Sequence, residues 1–275
     1  MASHRSSSAA RPSAARRLTT ARTALVTGAS TGIGADFARR LASDGLDLVL
    51  VARSADKLEA LAESIRSDSG RHVTVLARDL GRSGAAASLV DEVDALGIEV
   101  DFLLNNAGFG THGPVALADP DRLSDEIRLN CEVLTELSQR FLPGMMSRRR
   151  GTIVNVASNA AFQPLPQMAV YGATKAYVLS FTEALWHETQ GTGVRVLALC
   201  PGPTETPFFA IAGEDFARTK RTTAQLIDTA KRALADGRPS VVDGTYNALL
   251  ARVGVRFLPK RVALWAAAKT VGSRS

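Results

Sequence analysis

The chain alternates short runs of β-branched and leucine residues with longer stretches of helical period, and this alternation constrains its fold more than any other feature. The runs are "TALV" at 23–26, "LDLVLVA" at 46–52, "HVTVLA" at 72–77, "VDFLLNN" at 100–106, "TIVNVAS" at 152–158, "VRVLALC" at 194–200 and "SVV" at 240–242. Most are apolar at consecutive positions, so both faces of such a strand must be covered. Helical stretches near 32–44, 55–67, 83–96, 121–147, 169–190 and 222–236 lie between them and are long enough for crossovers. The predicted fold is α/β, a doubly wound parallel sheet of about seven strands with helices on both faces. With no internal repeat or low-complexity linker, residues 23–275 read as one domain. The stretch 203–221, "PTETPFFAIAGEDFARTKR", interrupts the alternation and reads as a lid.

The formal charge of +6 suggests nucleic acid until its distribution is followed. Residues 1–22 carry five arginines and no acid, and residues 244–275 carry six Lys/Arg and no acid. The body between them holds 22 basic against 27 acidic residues. With aromatics at only 5% as well, a nucleic-acid partner is not expected. Residues 1–22 are rich in Ser, Ala and Arg, have little to bury and are expected to be disordered. They lack the apolar stretch of a secretory signal, which leaves a plain polar tail or an organelle transit peptide. No run approaches the ~18 apolar residues of a membrane span. Cys131 and Cys200 have neither metal spacing nor the density of a disulfide framework, and a cytoplasmic setting is expected.

Directly after the first run comes "TGASTGIG", Thr27 to Gly34. A helix begun right after a strand points unpaired N–H groups and the positive end of its dipole at the strand's carboxyl edge, where a diphosphate fits. Gly28, Gly32 and Gly34 remove obstructing Cβ atoms, and Ser30 and Thr31 offer hydroxyls. These eight residues equally suit a tight turn without a ligand.

The motifs downstream decide between these readings. "NNAG" spans Asn105 to Gly108, Asn130 lies in the long helical stretch, Ser158 ends the fifth strand run, "YGATK" holds Tyr171 and Lys175, and "PGPTET" runs from Pro201 to Thr206. Together with T-G-x-x-x-G-x-G, this order resembles the short-chain dehydrogenase/reductase family over about residues 23–243. The resemblance implies a Rossmann-type fold and a nicotinamide cofactor. It places Gly28, Ser30, Thr31, Gly32, Ile33, Gly34, Leu80, Asn106, Ala107, Gly108, Tyr171, Lys175, Pro201, Gly202, Thr204 and Thr206 along that cofactor. Asp79, in "ARDL", resembles the family's adenine contact; the residue type suits a helix N-cap equally well.

The end of the second strand run reads "VLVARSADKL". An acid there would bind the ribose hydroxyls of NAD and repel a 2′-phosphate. Neutral Ala52 stands at that place with Arg53 beside it, and a guanidinium suits a phosphate. NADP(H) is the expected cofactor and NAD(H) the alternative. The competing reading of Arg53 is a solvated charge flanking the next helix.

Tyr171 and Lys175 are four apart on a predicted helix and share a face. The resemblance assigns proton transfer to Tyr171 and the ribose hydroxyls to Lys175. An ammonium nearby, with oxidised nicotinamide, would lower a phenol's pKa. By the same resemblance Ser158 orients the substrate oxygen and Asn130 holds a water that links Lys175 to solvent. Read singly, these residues are an exposed helical pair, a strand-end cap and a satisfied helix kink. His112 and His187 lack partners for a triad, no metal spacing occurs, and buried thiols are expected at both cysteines.

Phe109, Phe162, Met168, Phe208 and Phe209 are expected to line an apolar pocket, which favours a hydrophobic ketone or secondary alcohol. The leading expectation is therefore an oxidoreductase moving hydride between NADP(H) and such a substrate. A non-catalytic NADP(H)-binding sensor or scaffold is the alternative. The basic, apolar segment 244–275 suits an oligomer interface, a cover over the site or peripheral contact with acidic lipid. The family usually dimerises through its two long helices, so a homodimer or homotetramer is expected.

Overall fold

The computed structural model describes residues 23–212, 220–244 and 260–271. The expected tail at 1–22, residues 213–219 of the expected lid, and residues 245–259 and 272–275 of the C-terminal segment lie outside them.

Seven strands form one parallel sheet: β1 Thr23–Thr27, β2 Asp47–Ala52, β3 Val73–Ala77, β4 Phe102–Asn105, β5 Gly151–Val156, β6 Val194–Cys200 and β7 Ser240–Val242. Their order is β3-β2-β1-β4-β5-β6-β7, so the chain reverses direction across the sheet between β1 and β4. A ligand crevice forms at such a switch point, outside the strands' carboxyl ends.

The doubly apolar runs resolve into two cores. Val26, Leu48, Leu50, Leu104 and Leu197 face one side and pack with Phe37, Leu58 and Leu226 from helices α1 (Gly32–Ser43), α2 (Ala55–Ser69) and α8 (Thr223–Ala235). Their neighbours Leu25, Val49, Val51, Leu103 and Val196 face the other. There they meet Leu89, Leu137 and Leu185 from α3 (Ala85–Ala95), α5 (Leu134–Ser147) and α6 (Ala169–Glu188). Alternation along a strand sends adjacent residues to opposite faces, and helices on both faces bury both.

The stretch expected as one helix over 121–147 is divided. Helix α4 spans Pro120–Ile127, with Asp119 capping it through the Asp121 N–H and proline in its first turn. A π-helical turn at Arg128–Val133 follows and leads into α5. π-turns widen the backbone and recur at functional sites. The expected lid also begins with structure: α7 spans Phe208–Ala212, and a parallel bridge between Thr204 and Arg221 ties its two ends together. Helix α9, Lys260–Val271, is the described part of the basic C-terminal segment.

Candidate active site

The glycine turn opens at the carboxyl end of β1. Gly28 and Gly32 have φ of +64° and +55°, a region that side chains with a Cβ rarely adopt. A Cβ on Gly28 would stand 2.8 Å from Asn106 Nδ2 and 2.9 Å from Ala107 Cα; one on Gly34 would run into the Gly28 carbonyl. The turn is stapled to β4. Asn106 Nδ2 donates to the carbonyls of Thr27 and Gly28 at 3.1 and 3.2 Å. Thr27 Oγ1 accepts from the N–H groups of Asn106 and Ala107 at 3.0 Å each. Thr31 is the N-cap of α1, but no side chain caps the helix and no acid lies in its first turn. Its leading N–H groups are therefore left for an anion, so this cradle fits a diphosphate.

The other cofactor candidates lie around the same edge, with differences. Arg53 is exposed just past β2 and has no ion pair or side-chain hydrogen bond among the described residues. Asp79 is no helix N-cap: α3 begins at Ala85 with Gly84 as its cap, while Asp79 Oδ1 accepts from the Gly81 N–H at 3.0 Å. The chain needs a turn there before the helix, and a carboxylate supplies it. Leu80 is buried in the core and Ile33 packs against the opposite one, so their backbones rather than their side chains border the crevice. Thr204 donates to the Gly202 carbonyl at 2.9 Å, and Thr206 Oγ1 accepts weakly from the Phe208 N–H at 3.4 Å. The buried Pro201 carbonyl accepts from the Asn159 N–H at 2.8 Å. Ser30 is half-buried in the turn, and Gly108 is exposed.

Asn130, Ser158, Tyr171 and Lys175 are all buried and come together beyond β4 and β5. Strand β5 ends at Val156, so Ser158 lies two residues past it and caps a 3-10 turn at Asn159–Phe162 by accepting from the Ala160 N–H at 3.1 Å. Lys175 Nζ donates to the Val156 carbonyl at 2.8 Å and lies 5.8 Å from the centre of the Tyr171 ring. The π-turn points Asn130 back at the loop after β4. Its Nδ2 donates to the Phe109 carbonyl at 2.9 Å and to Thr174 Oγ1 at 3.1 Å, and its Oδ1 accepts from the Phe109 N–H at 3.1 Å. The side chain thus ties the loop after β4 to α6. A Cβ on Gly108 would stand 2.7 Å from Asn130 Oδ1, which explains the glycine there.

Without the cofactor's charge, burial dominates the electrostatics of the pair. Burial pushes the Tyr171 phenol up to about 12, outweighing the lowering by a hydrogen bond with Ser158. The same dryness pushes the Lys175 ammonium down to about 8. Desolvation disfavours the charged form of each.

Of the apolar candidates, Met168 and Phe208 cluster with Tyr171, joined by Leu165 and Ala212. The Phe208 and Tyr171 rings are 5.3 Å apart. Gly110 permits this approach: a Cβ there would stand 2.8 Å from Met168 Cε and 3.0 Å from Tyr171 Cδ2. Phe109 is half-buried under the Arg122 guanidinium, 4.9 Å from its ring centre. Phe162 packs instead with Leu134, Val178 and Val242, away from the tyrosine cluster, because the 3-10 turn rotates it toward the core. Phe209 lies in α7, and its side chain is outside the described residues.

Three residues of the site escaped the sequence reading. Arg122 donates to the carbonyls of Gly110 and Ile211 at 3.3 and 3.2 Å and so clips α7 to the loop after β4. Glu126 is fully buried one turn before Asn130, with Thr111 facing it. The i, i+4 spacing of Glu126 and Asn130 puts them on one helix face and was the available signal.

Residues 22–215 match the short chain dehydrogenase family. Among curated relatives, the very-long-chain 3-oxoacyl-CoA reductase of Phaeosphaeria nodorum is 38% identical over 179 residues, covering 63% of this chain and 52% of that protein. The 17-beta-hydroxysteroid dehydrogenase type 3 of Mus musculus is 31% identical over 201 residues, covering 71% of this chain and 64% of that one. The chain thus spans between about half and two thirds of the length of these relatives. A short-chain dehydrogenase from Sphingobium yanoikuyae, solved in complex with NADPH, superposes with a TM-score of 0.78 at 31% identity, covering 92% of this chain and 96% of that one.

Proposed function

The chain belongs to the short-chain dehydrogenase/reductase family, and from that premise we propose that it moves hydride between NADP(H) and a hydrophobic ketone or secondary alcohol. The observation that carries this reading is the convergence of Ser158, Tyr171 and Lys175, all buried, on the switch-point crevice beside an uncapped helix and its glycine cradle. The cradle and Lys175 would hold the cofactor's diphosphate and ribose, Arg53 its 2′-phosphate, and the nicotinamide would supply or accept the hydride.

The chain's own groups do the rest. Tyr171 keeps its proton at neutral pH because burial holds the phenol near 12, which suits it to donate that proton to a carbonyl oxygen. Ser158 lies beside the phenol to orient the same oxygen, and the apolar wall of Leu165, Met168 and Phe208 excludes water from it. That wall offers no charged group to a phosphate or carboxylate, and the names of the fungal and mouse relatives, an oxoacyl-CoA reductase and a hydroxysteroid dehydrogenase, agree with a large apolar substrate.

A panel of acyl, steroid and aromatic carbonyls, followed by NADPH absorbance, tests this reading. At least one class is expected to turn over, and Tyr171→Phe to lower kcat by 100-fold or more, roughly the range of general acid catalysis, with NADPH binding retained. Undiminished turnover by Tyr171→Phe would refute the mechanism. NADPH binding without turnover of any panel member would point to the sensor alternative.

A further inference from the structure

Tyr171 lies under a cover that α7 helps to form. It is 8% exposed, and of the side chains clustered with it Phe208 and Ala212 belong to that helix. The Phe208 ring sits 5.3 Å from the Tyr171 ring, and Gly110 leaves room for it, since a Cβ there would come within 3.3 Å of Phe208 Cζ. A carbonyl meets the phenol only where part of this cover gives way. The part able to lift is α7, because a helix of five residues does not persist without tertiary contacts.

Few bonds hold it down. Before α7 the chain is anchored: the Glu205 N–H donates to the Arg221 carbonyl at 2.9 Å, and Arg221 Nε donates to the fully buried Asp243 at 2.7 Å. The far end of α7 is tied to other segments. The His112 N–H donates to the Ala212 carbonyl at 3.1 Å, and Arg122 Nη2 donates to the Ile211 carbonyl at 3.2 Å. The same nitrogen donates to the Gly110 carbonyl at 3.3 Å, while the guanidinium rests 4.9 Å from the centre of the Phe109 ring. Arg122 thereby joins two segments that both touch Tyr171, the loop carrying Gly110 and the helix carrying Phe208. It stands in the first turn of α4, behind the Asp119 cap. A charged donor makes the stronger kind of hydrogen bond, and here one side chain supplies it.

Resting on the proposed activity, we infer that Arg122 is a specificity-determining residue, a latch that keeps α7 seated on Tyr171. A slim carbonyl compound that needs only the Phe208 ring to turn aside leaves the Arg122–Ile211 bond intact. A bulky one must lift the helix and break it.

Hydrogen exchange reads the latch without any substrate. The His112 amide, bonded to Ala212, and the Ile211 amide, bonded to the Pro207 carbonyl at 3.1 Å, report from its two sides. In full-length Arg122→Met both should exchange about tenfold faster than in the wild type, the effect of one hydrogen bond from a charged donor, while the amides of β5, which follow global unfolding, stay unchanged. Arg122→Lys, which keeps a charged donor, should fall between the two. Unmoved His112 and Ile211 amides, or an equal acceleration in β5, overturn the inference. Should Arg122→Met not fold, Arg122→Lys decides by the same comparison. In turnover, kcat/KM for a bulky apolar ketone relative to a slim one should rise about tenfold in Arg122→Met, with NADPH affinity unchanged. An arginine serving stability alone would lower both substrates together, and an unchanged ratio overturns the inference. Faster amides without turnover of any carbonyl would overturn the proposed activity while leaving the latch; turnover with unmoved amides and an unmoved ratio would do the reverse.

Discussion

Lys175 shows what burying a single cation, at a place where the proposed chemistry would use it, costs the fold. Its pKa falls from 10.5 to about 8 on folding because the ammonium is stripped of water. Between those values the unfolded chain binds more protons than the folded one, so stability rises with pH across that window and the full penalty stands below it. Over pH 7.5 to 9.5 urea unfolding should show the wild type gaining about 2 kcal/mol relative to Lys175→Met, which has no proton to lose there. A constant difference between the two proteins would mean that the lysine is not desolvated. Arg53 is the opposite case, an exposed cation that costs the fold nothing and has no partner among the described residues. If it binds the 2′-phosphate, Arg53→Ala should lose about 1.5 to 3 kcal/mol in kcat/KM with NADPH and little with NADH. Equal losses with both cofactors would assign Arg53 to the surface.

At the scale of elements, legibility follows the range of the interaction that sets each feature. All seven strands were readable because Leu48, Val49, Leu50 and Val51 must find apolar partners on both faces, a requirement that consecutive residues carry themselves. The glycine turn, Asn106 and the Tyr171–Lys175 pair were readable from local spacing. The π-turn was not: it is accompanied by Asn130 gripping both backbone polar groups of Phe109, 21 residues away, a partner that helical periodicity does not encode. Phe162 shows the same limit. Its aromatic character suited a pocket, and only the Ser158-capped turn determines that it faces Leu134 and Val178. Asn105 lies between these cases. Its motif was visible, but its bonds to Asn155 at 2.9 Å and Ser138 at 3.0 Å, and through Asn155 to Thr182 at 3.0 Å, join β4 and β5 to α5 and α6. Asn155 lies one residue before Val156, whose carbonyl accepts from Lys175, so the network adjoins the proposed catalytic groups. Buried polar groups joined in this way hold neighbouring elements in one arrangement, which positions α6 against β5.

The whole molecule leaves the outer face of α6 to be accounted for. Its buried face carries Tyr171, Lys175, Val178 and Thr182, while Ala173, Ala176, Tyr177, Ser180 and Ala184 are exposed. Small residues around one aromatic let a second helix approach closely, and the aromatic is held in place. Tyr177 hydrogen bonds with Thr135 of α5 at 2.9 Å and stacks on Phe181, with ring centres 6.1 Å apart at 7°. Ile127 at the end of α4 and Met146 on α5 add exposed apolar surface, at 50% and 38%. A two-fold partner presenting the same helices would cover this face, since isologous pairing requires only self-complementarity. Light scattering should therefore give about twice the single-chain mass of 29.1 kDa, and Tyr177→Asp, which sets a charge at the centre of the contact, should return it to one chain. The helix that would form the contact also carries Tyr171, the proposed proton donor, on its buried face. Dissociation by Tyr177→Asp should therefore lower kcat more than it weakens NADPH binding. A wild-type chain that scatters as a monomer would remove this interface, and the exposed stripe on α6 would then be ordinary solvent-facing surface.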